Sequence, residues 1–166
     1  MLFFDGSSCK QGGGIGIVII LSWGASFEFA FPTKPMITNN QAEYEAILKG
    51  LQLLHEVKAK VIEVFGDSQL IINQLIGLYE CKEETLKEYY DECQKLIKGF
   101  LHISFQHILR AQNQEANRLA QSASCYRMFR EVLSSETLND DWRVEIADYL
   151  RDPSRKDTRK LRYKSA

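Results

Sequence analysis

The segment TNNQAEYEAILKGLQLLHEV, Thr38 to Val57, reads as a capped helix whose buried stripe begins with a charge. Thr38 or Asn39 can cap it, and the helical pattern runs over about residues 40–56. At 3.6 residues per turn, Glu43, Ile47, Gly50, Leu51 and Leu54 fall on one row. A carboxylate heading an apolar row narrows the choice of fold. The helix must lie on a layer that buries its body yet meets a polar crevice at its first turn. Glu45 and Glu56 lie off the row and read as solvated charges.

The layer is legible on either side of that helix. Residues 1–5 (MLFFD) read as a short strand, followed by the turn-rich GSSCKQGGG. Residues 15–21 (IGIVIIL) are β-branched and read as a second strand. Residues 26–31 (SFEFAF) alternate with period two and read as a third, half-exposed strand. Short turns join these three as antiparallel hairpins. Pro32 and Pro35 end the strand pattern. After the helix come a strand at 60–67, a short helix at 68–77 closed by Gly77, and an amphipathic helix at 83–100. Then follow a strand at 102–109 and a helix at 113–124 with Ala116, Leu119, Ala120 and Ala123 on one side. The order β-β-β-α-β-α-α-β-α predicts an α/β (α+β) mixed sheet with helices on its faces. Residues 1–126 form the expected domain, and 127–166 a partly helical linker that cannot build a core alone.

Two further acids stand where packing favours other residues. Asp5 follows the apolar LFF, and Asp67 ends VIEVFG. Each of the three acids has an ordinary reading. Asp67 can cap the next helix, Asp5 can start a turn, and Glu43 can fold back into a capping box. The alternative is convergence of all three on one side of the sheet. Clustered carboxylates repel one another and lose hydration, so they call for a cation. Oxygen-only ligands suit magnesium or manganese, and two such ions about 4 Å apart can drive phosphodiester hydrolysis.

Composition excludes several classes. The net charge is −1, so the chain as a whole is no polycation. Residues 1–125 carry 11 Lys/Arg and 14 Asp/Glu, whereas the last sixteen residues carry 7 and 2. Cys9, Cys81, Cys93 and Cys125 form no CxxC pair and have no histidine cluster beside them. That argues against a zinc site or a disulfide framework and for a reducing, intracellular compartment. The longest apolar run is too short to span a bilayer, and the start lacks a secretory pattern. The expectation is a monomer that is neither secreted nor held in a membrane.

Four blocks, FFDGSS, TNNQAEYEAILKGLQ, VFGDSQLIINQL and HILRAQNQEANRLA, resemble in order and spacing the ribonuclease H domain of gypsy-type LTR retrotransposons, especially those of plants. They cover residues 1 to about 125. The tail DWRVEIADYLRDPSRKDTRKLRYKSA resembles the tether leading toward integrase in such polyproteins. The resemblance implies a five-stranded sheet of order 3-2-1-4-5 with its first three strands antiparallel. It implies cleavage of the RNA strand of an RNA–DNA hybrid with two Mg2+ or Mn2+ ions, and reverse transcriptase and integrase segments as partners. Carried over by residue, Asp5, Glu43 and Asp67 become the catalytic and metal-binding acids. Substrate contacts fall on Gly6, Ser7, Ser8, Asn39, Asn40, Gln41, Ser68 and Gln69. Neutral side chains and amides of this kind suit phosphates, sugars and 2′-hydroxyls.

The chain departs from the family pattern in three places. Asn117 stands where a fourth metal acid is expected. It offers a carbonyl oxygen without charge, which implies weaker cation binding, slower turnover and a shift toward manganese. Glu115 faces away from that position along the helix. His107 falls inside the last strand pattern and reads as structural, so Arg110 and Asn113 at the following loop are the residues expected to meet phosphate or product. Residues 80–99 are acidic on balance, where some relatives carry a basic substrate grip, so weak hybrid binding is expected. Related domains also carry a few more residues before the first acid, so a fragment or an internal start is expected. Two readings compete. One is a hybrid-specific endoribonuclease. The other is a catalytically silent ribonuclease H fold that binds nucleic acid or a partner protein. Exonuclease or DNA nuclease chemistry on the same fold is a third, disfavoured by the TNN block.

Overall fold

The computed structural model describes residues 1–125 and the backbone of residues 160–164. The chain runs β1 (Leu2–Cys9), β2 (Gly12–Ile20), β3 (Ser26–Pro32), α1 (Asn39–Glu56), β4 (Val61–Gly66), α2 (Gln69–Leu75), α3 (Glu84–Ile97), β5 (His102–His107), a 3-10 turn (Arg110–Gln112), α4 (Gln114–Cys125) and β6 (Lys160–Lys164). The sheet order is β5-β4-β1-β2-β3-β6. β1, β2 and β3 are antiparallel to one another, and β4 and β5 run parallel to β1. The five strands and their order are those implied by the sequence resemblance. The sixth is an addition, for Lys160–Lys164 lies parallel along β3, Ser26 opposite Lys160 and Ala30 opposite Lys164. Its KLRYK sequence alternates Leu161 and Tyr163 with Lys and Arg, a period-two signal too short and too rich in charge to announce a strand by itself. The helical segment expected near residues 142–150 lies outside the described residues.

Helices cover both faces. α1 lies on the sheet with α3 packed against it, and the main core between them is built from Leu2, Phe4, Ile17, Ile47, Leu51 and Val64 among others. α4 covers the opposite face, where Val18, Ala30, Ala116, Leu119 and Ala123 form a smaller cluster. This second layer explains why β3 is not half-exposed as its alternation predicts. Phe27, Glu28, Phe29 and Ala30 are all buried. Glu28, at 1% exposure, meets the Arg118 guanidinium of α4 at 3.2 Å instead of water.

The first hairpin also departs from expectation. β1 continues through Gly6-Ser7-Ser8 to Cys9, and β2 starts at Gly12, leaving a tight loop where a long turn is predicted. Glycines in this hairpin admit helices on both faces. A Cβ on Gly6 would land on the backbone of Ala42 and Glu43 in α1. A Cβ on Gly16, which sits directly opposite Asp5, would land on the Ala116 carbonyl and lie 2.7 Å from the Ala120 nitrogen in α4. The turn-like glycine content is therefore a packing signature: the missing side chains let α1 reach β1 on one face and α4 reach β2, beside Asp5, on the other.

A Gly6→Ala substitution is expected to push α1 off β1. Overpacking of this kind costs about 1–3 kcal/mol. Urea denaturation should show that loss, and an unchanged midpoint would contradict the close approach.

Candidate active site

The site lies where β1 and β4 part. The two strands pair only through Leu2–Val64 and Phe3–Phe65, and beyond those residues their carboxyl ends separate. Crevices of this kind, at the carboxyl ends of strands where the chain order reverses, are where open α/β sheets bind ligands. Asp5 sits past the last residue of β1 that pairs with β4, buried to 3% exposure. Asp67 follows the end of β4. Glu43 enters from α1, which Gly6 allows to lie against β1.

The ordinary readings of the three acids fail one by one. The capping box of α1 is closed by Thr38 and Gln41, the Gln41 amide donating to Thr38 Oγ1 at 3.2 Å and the Thr38 amide to Gln41 Oε1 at 3.0 Å. Glu43 is left with no capping role. Ser68, not Asp67, occupies the N-cap of α2. Asp5 starts no turn, because β1 runs on for four residues. On its far side α1 is locked by fully buried Tyr44, whose hydroxyl donates to Gln74 Oε1 of α2 at 2.6 Å. That bond fixes the rotation of the helix and so the direction of Glu43.

Burial pushes the Asp5 carboxyl up to about 6, aided by the negative charge of Asp67 and opposed by the Asn117 amide and the Arg110 charge. Burial likewise pushes Glu43 up to about 7, with the charges of Asp5 and Asp67 adding to it and a Ser68 hydrogen bond and Arg110 opposing it. The three acids therefore share one electrostatic environment. Glu43 Oε2 is buried with no hydrogen-bond partner. A buried carboxylate oxygen without a donor, in a crevice of like charges, is what a divalent cation would satisfy. The donor set is all hard oxygen and fits Mg2+ or Mn2+. Among the described residues no group of three acids, cysteines or histidines stands at metal-holding distance, and the three acids are neighbours by their electrostatic influence on one another.

The other expected residues divide into two groups. Ser8 donates through its amide at 3.1 Å and its hydroxyl at 2.6 Å to Asn39 Oδ1, joining β1 to the exposed start of α1. Ser7, Asn40 and Ser68 are half-buried and Gln69 and Arg110 exposed, so these side chains remain within reach of a ligand. Gly6 faces α1, and the Gln41 side-chain oxygen is taken by the cap. Asn113 corrects the expectation most clearly. It is 1% exposed and donates from one amide nitrogen to Phe4 O and to Asp67 Oδ1, both at 2.9 Å. It stands behind the acids and cannot face a phosphate. Asn117 turns its amide nitrogen, not its oxygen, to Asp5 Oδ2 at 2.7 Å. It acts here as a donor to an acid rather than as a ligand. Arg118 and Glu115 pair with each other at 2.8 Å, Arg118 reaching on to Glu28 of β3. His107, read from sequence as an internal strand residue, is the exposed last residue of β5, its Nε2 3.3 Å from the Asp67 carbonyl. Its position at a strand end was the one signal available.

Residues 3–123 match the family described as "Reverse transcriptase-like". The chain is 33% identical over 123 residues to "Ribonuclease HI" of Halobacterium salinarum, a match that covers 73% of this chain. It spans 62% of that protein's length, less than two thirds. The crystal structure of RNase H1 from that archaeon superposes with a TM-score of 0.68 at 33% identity, covering 74% of this chain and 94% of the other. LC11-RNase H1, solved in complex with an RNA/DNA hybrid, gives 0.70 at 30% identity over 76% and 97% of the two chains.

The raised acids make a pH signature. A carboxyl that binds its proton more tightly when folded favours the folded state at low pH and opposes it once ionised. Asp5 and Glu43 therefore withdraw stability as pH rises from about 4 through about 7, each tenfold gain in proton affinity on folding being worth about 1.4 kcal/mol. Without divalent ions, the thermal midpoint is expected to fall between pH 5 and pH 8, and excess Mg2+ should restore it at pH 8. A midpoint that is flat over this range and indifferent to Mg2+ would contradict the assignment.

Proposed function

The chain belongs to the ribonuclease H family, and on that footing we propose that it cleaves the RNA strand of RNA–DNA hybrids by divalent-ion-dependent hydrolysis. The convergence of Asp5, Glu43 and Asp67 in one crevice, with an unpartnered Glu43 oxygen, carries this reading. These three acids would hold two Mg2+ or Mn2+ ions. When bound, such ions lower the pKa of a water for attack on phosphorus and stabilise the departing oxygen.

The protein's own groups prepare the site. Asn113 and Asn117 each donate to one acid, and the Ser68 hydroxyl to the third. Each donor is neutral, so each acid keeps its charge for a cation. Arg110, exposed at the loop after β5, places a positive charge where Asp5 and Glu43 feel it and where a phosphate of the RNA strand can meet it. At the mouth, Ser7, Ser8, Asn39, Asn40 and Gln69 offer neutral hydrogen-bonding groups suited to 2′-hydroxyls and sugars. Asn117 in place of a fourth acid removes one negative charge and lowers cation affinity and turnover, with Mn2+ favoured.

The four sequence blocks further support a retrotransposon setting, in which residues 127–166 tether the domain toward integrase and a reverse transcriptase segment supplies grip on the hybrid. The foamy viral protease-reverse transcriptase shares the fold at a TM-score of 0.63 and 16% identity, which speaks to architecture alone.

The test is cleavage of a labelled RNA–DNA hybrid by the full chain across Mg2+ and Mn2+ titrations, beside Asp67→Asn and Asn117→Asp. The expected outcome is metal-dependent cutting abolished by Asp67→Asn, with Asn117→Asp reaching half-maximal rate at lower Mg2+. Hybrid binding without cutting at any metal concentration would instead establish the silent binding module.

A further inference from the structure

The gap between β1 and β4 poses a mechanical problem. Ladder pairing between these strands ends at Phe3 and Phe65, yet Asp5 and Asp67 both lie two residues beyond it. The Asn113 side chain spans the opening. Its Nδ2 carries two hydrogens; one goes to the Phe4 carbonyl, immediately before Asp5, and the other to Asp67 Oδ1, both at 2.9 Å. Both partners are acceptors, so only the nitrogen can face them, and the orientation of the amide is dictated by chemistry. The consequence is visible on its other side, where Asn113 Oδ1 is buried without a partner. A buried carbonyl oxygen is left unsatisfied so that two hydrogens can be aimed into the crevice. The backbone carbonyl of Asn113 also accepts from the Asn117 amide at 3.1 Å, starting the helix whose Asn117 side chain holds Asp5.

We propose that Asn113 is a positioning residue that sets the separation of Asp5 and Asp67, and through it the spacing available to bound cations. This inference rests on the ribonuclease reading for its catalytic consequence but not for its geometry. The residue needs both hydrogens. Asn113→Ala removes them, and Asn113→Asp keeps the shape while setting a carboxylate against a carbonyl and a second carboxylate.

Both variants of the full chain can be compared with the parent by steady-state cleavage and by calorimetric Mg2+ titration. A misplacement of reacting groups of about 1 Å can cost about 100-fold in rate. The expected result is kcat reduced at least about tenfold in both variants, KM for the hybrid within about twofold of the parent, and weaker Mg2+ binding. Parent-like kcat and Mg2+ affinity in folded Asn113→Ala would overturn the proposal. Should the variants fail to fold, the parent protein still decides. The Asn113 side-chain amide hydrogens should exchange with solvent at least about tenfold more slowly than those of exposed Asn39 in NMR spectra. Exchange as fast as Asn39 would overturn the proposal. If the parent binds Mg2+ but cuts nothing, the ribonuclease reading fails, and weaker Mg2+ binding by Asn113→Ala would still support the positioning role.

Discussion

Like charges buried in one crevice dominate this structure. Asp5, Glu43 and Asp67 come from a strand, a helix and a strand end; the charge of Asp67 makes Asp5 harder to ionise, and the charges of Asp5 and Asp67 do the same to Glu43. No folded chain gathers such groups without help. The help here is mostly geometric. Gly6 of β1 and Gly16 of β2, opposite Asp5, are bare so that α1 and α4 can approach the first hairpin from opposite faces. Tyr44 pins the far side of α1, and the parting of β1 and β4 opens a space beside Asp5 and Asp67. The remaining help comes from donors that carry no charge. Amides of Asn113 and Asn117 and the hydroxyl of Ser68 each take up one acid's oxygen.

That choice of donors bears on function. A lysine or arginine inserted among the acids would neutralise them and close the site to cations. Neutral donors hold the carboxylates in place and leave their charge available. The cation they do feel, Arg110, is exposed at the rim, where it moderates the acids without bonding them and remains able to meet an incoming phosphate. Glu28, another buried acid, is treated in the opposite way. Arg118 pairs with it directly, and it takes no part in the crevice. The contrast between a neutralised structural acid and three acids held by neutral donors separates packing from chemistry in one small domain.

Much of this was legible from residues alone. The row Glu43, Ile47, Gly50, Leu51, Leu54 marked the inward face of α1, and all but Glu43 are buried. The alternation of strand and helix signals pointed to a mixed sheet covered by helices, and the four family-like blocks supplied its strand order. Other features left no local trace. GSSCKQGGG reads as a turn because glycine and serine favour turns; its role as strand depends on helices contributed by distant parts of the chain. Burial of β3 on both faces likewise depends on α4, which period-two alternation cannot foresee. Asn113 sat in a recognisable loop, but whether an asparagine faces a ligand or turns inward is decided by the space around it. β6 is short and rich in charged residues, and its brief alternation does not tell that it pairs with β3, which is a tertiary event.

The most direct test of the central claim is a Mn2+ soak of crystals of the full chain, read in anomalous difference maps. The account predicts one or two peaks ligated by Asp5, Glu43 and Asp67, with a Glu43 oxygen among the ligands. Strong Mn2+ peaks elsewhere with none in the crevice, or carboxylates found far apart on the surface, would contradict it.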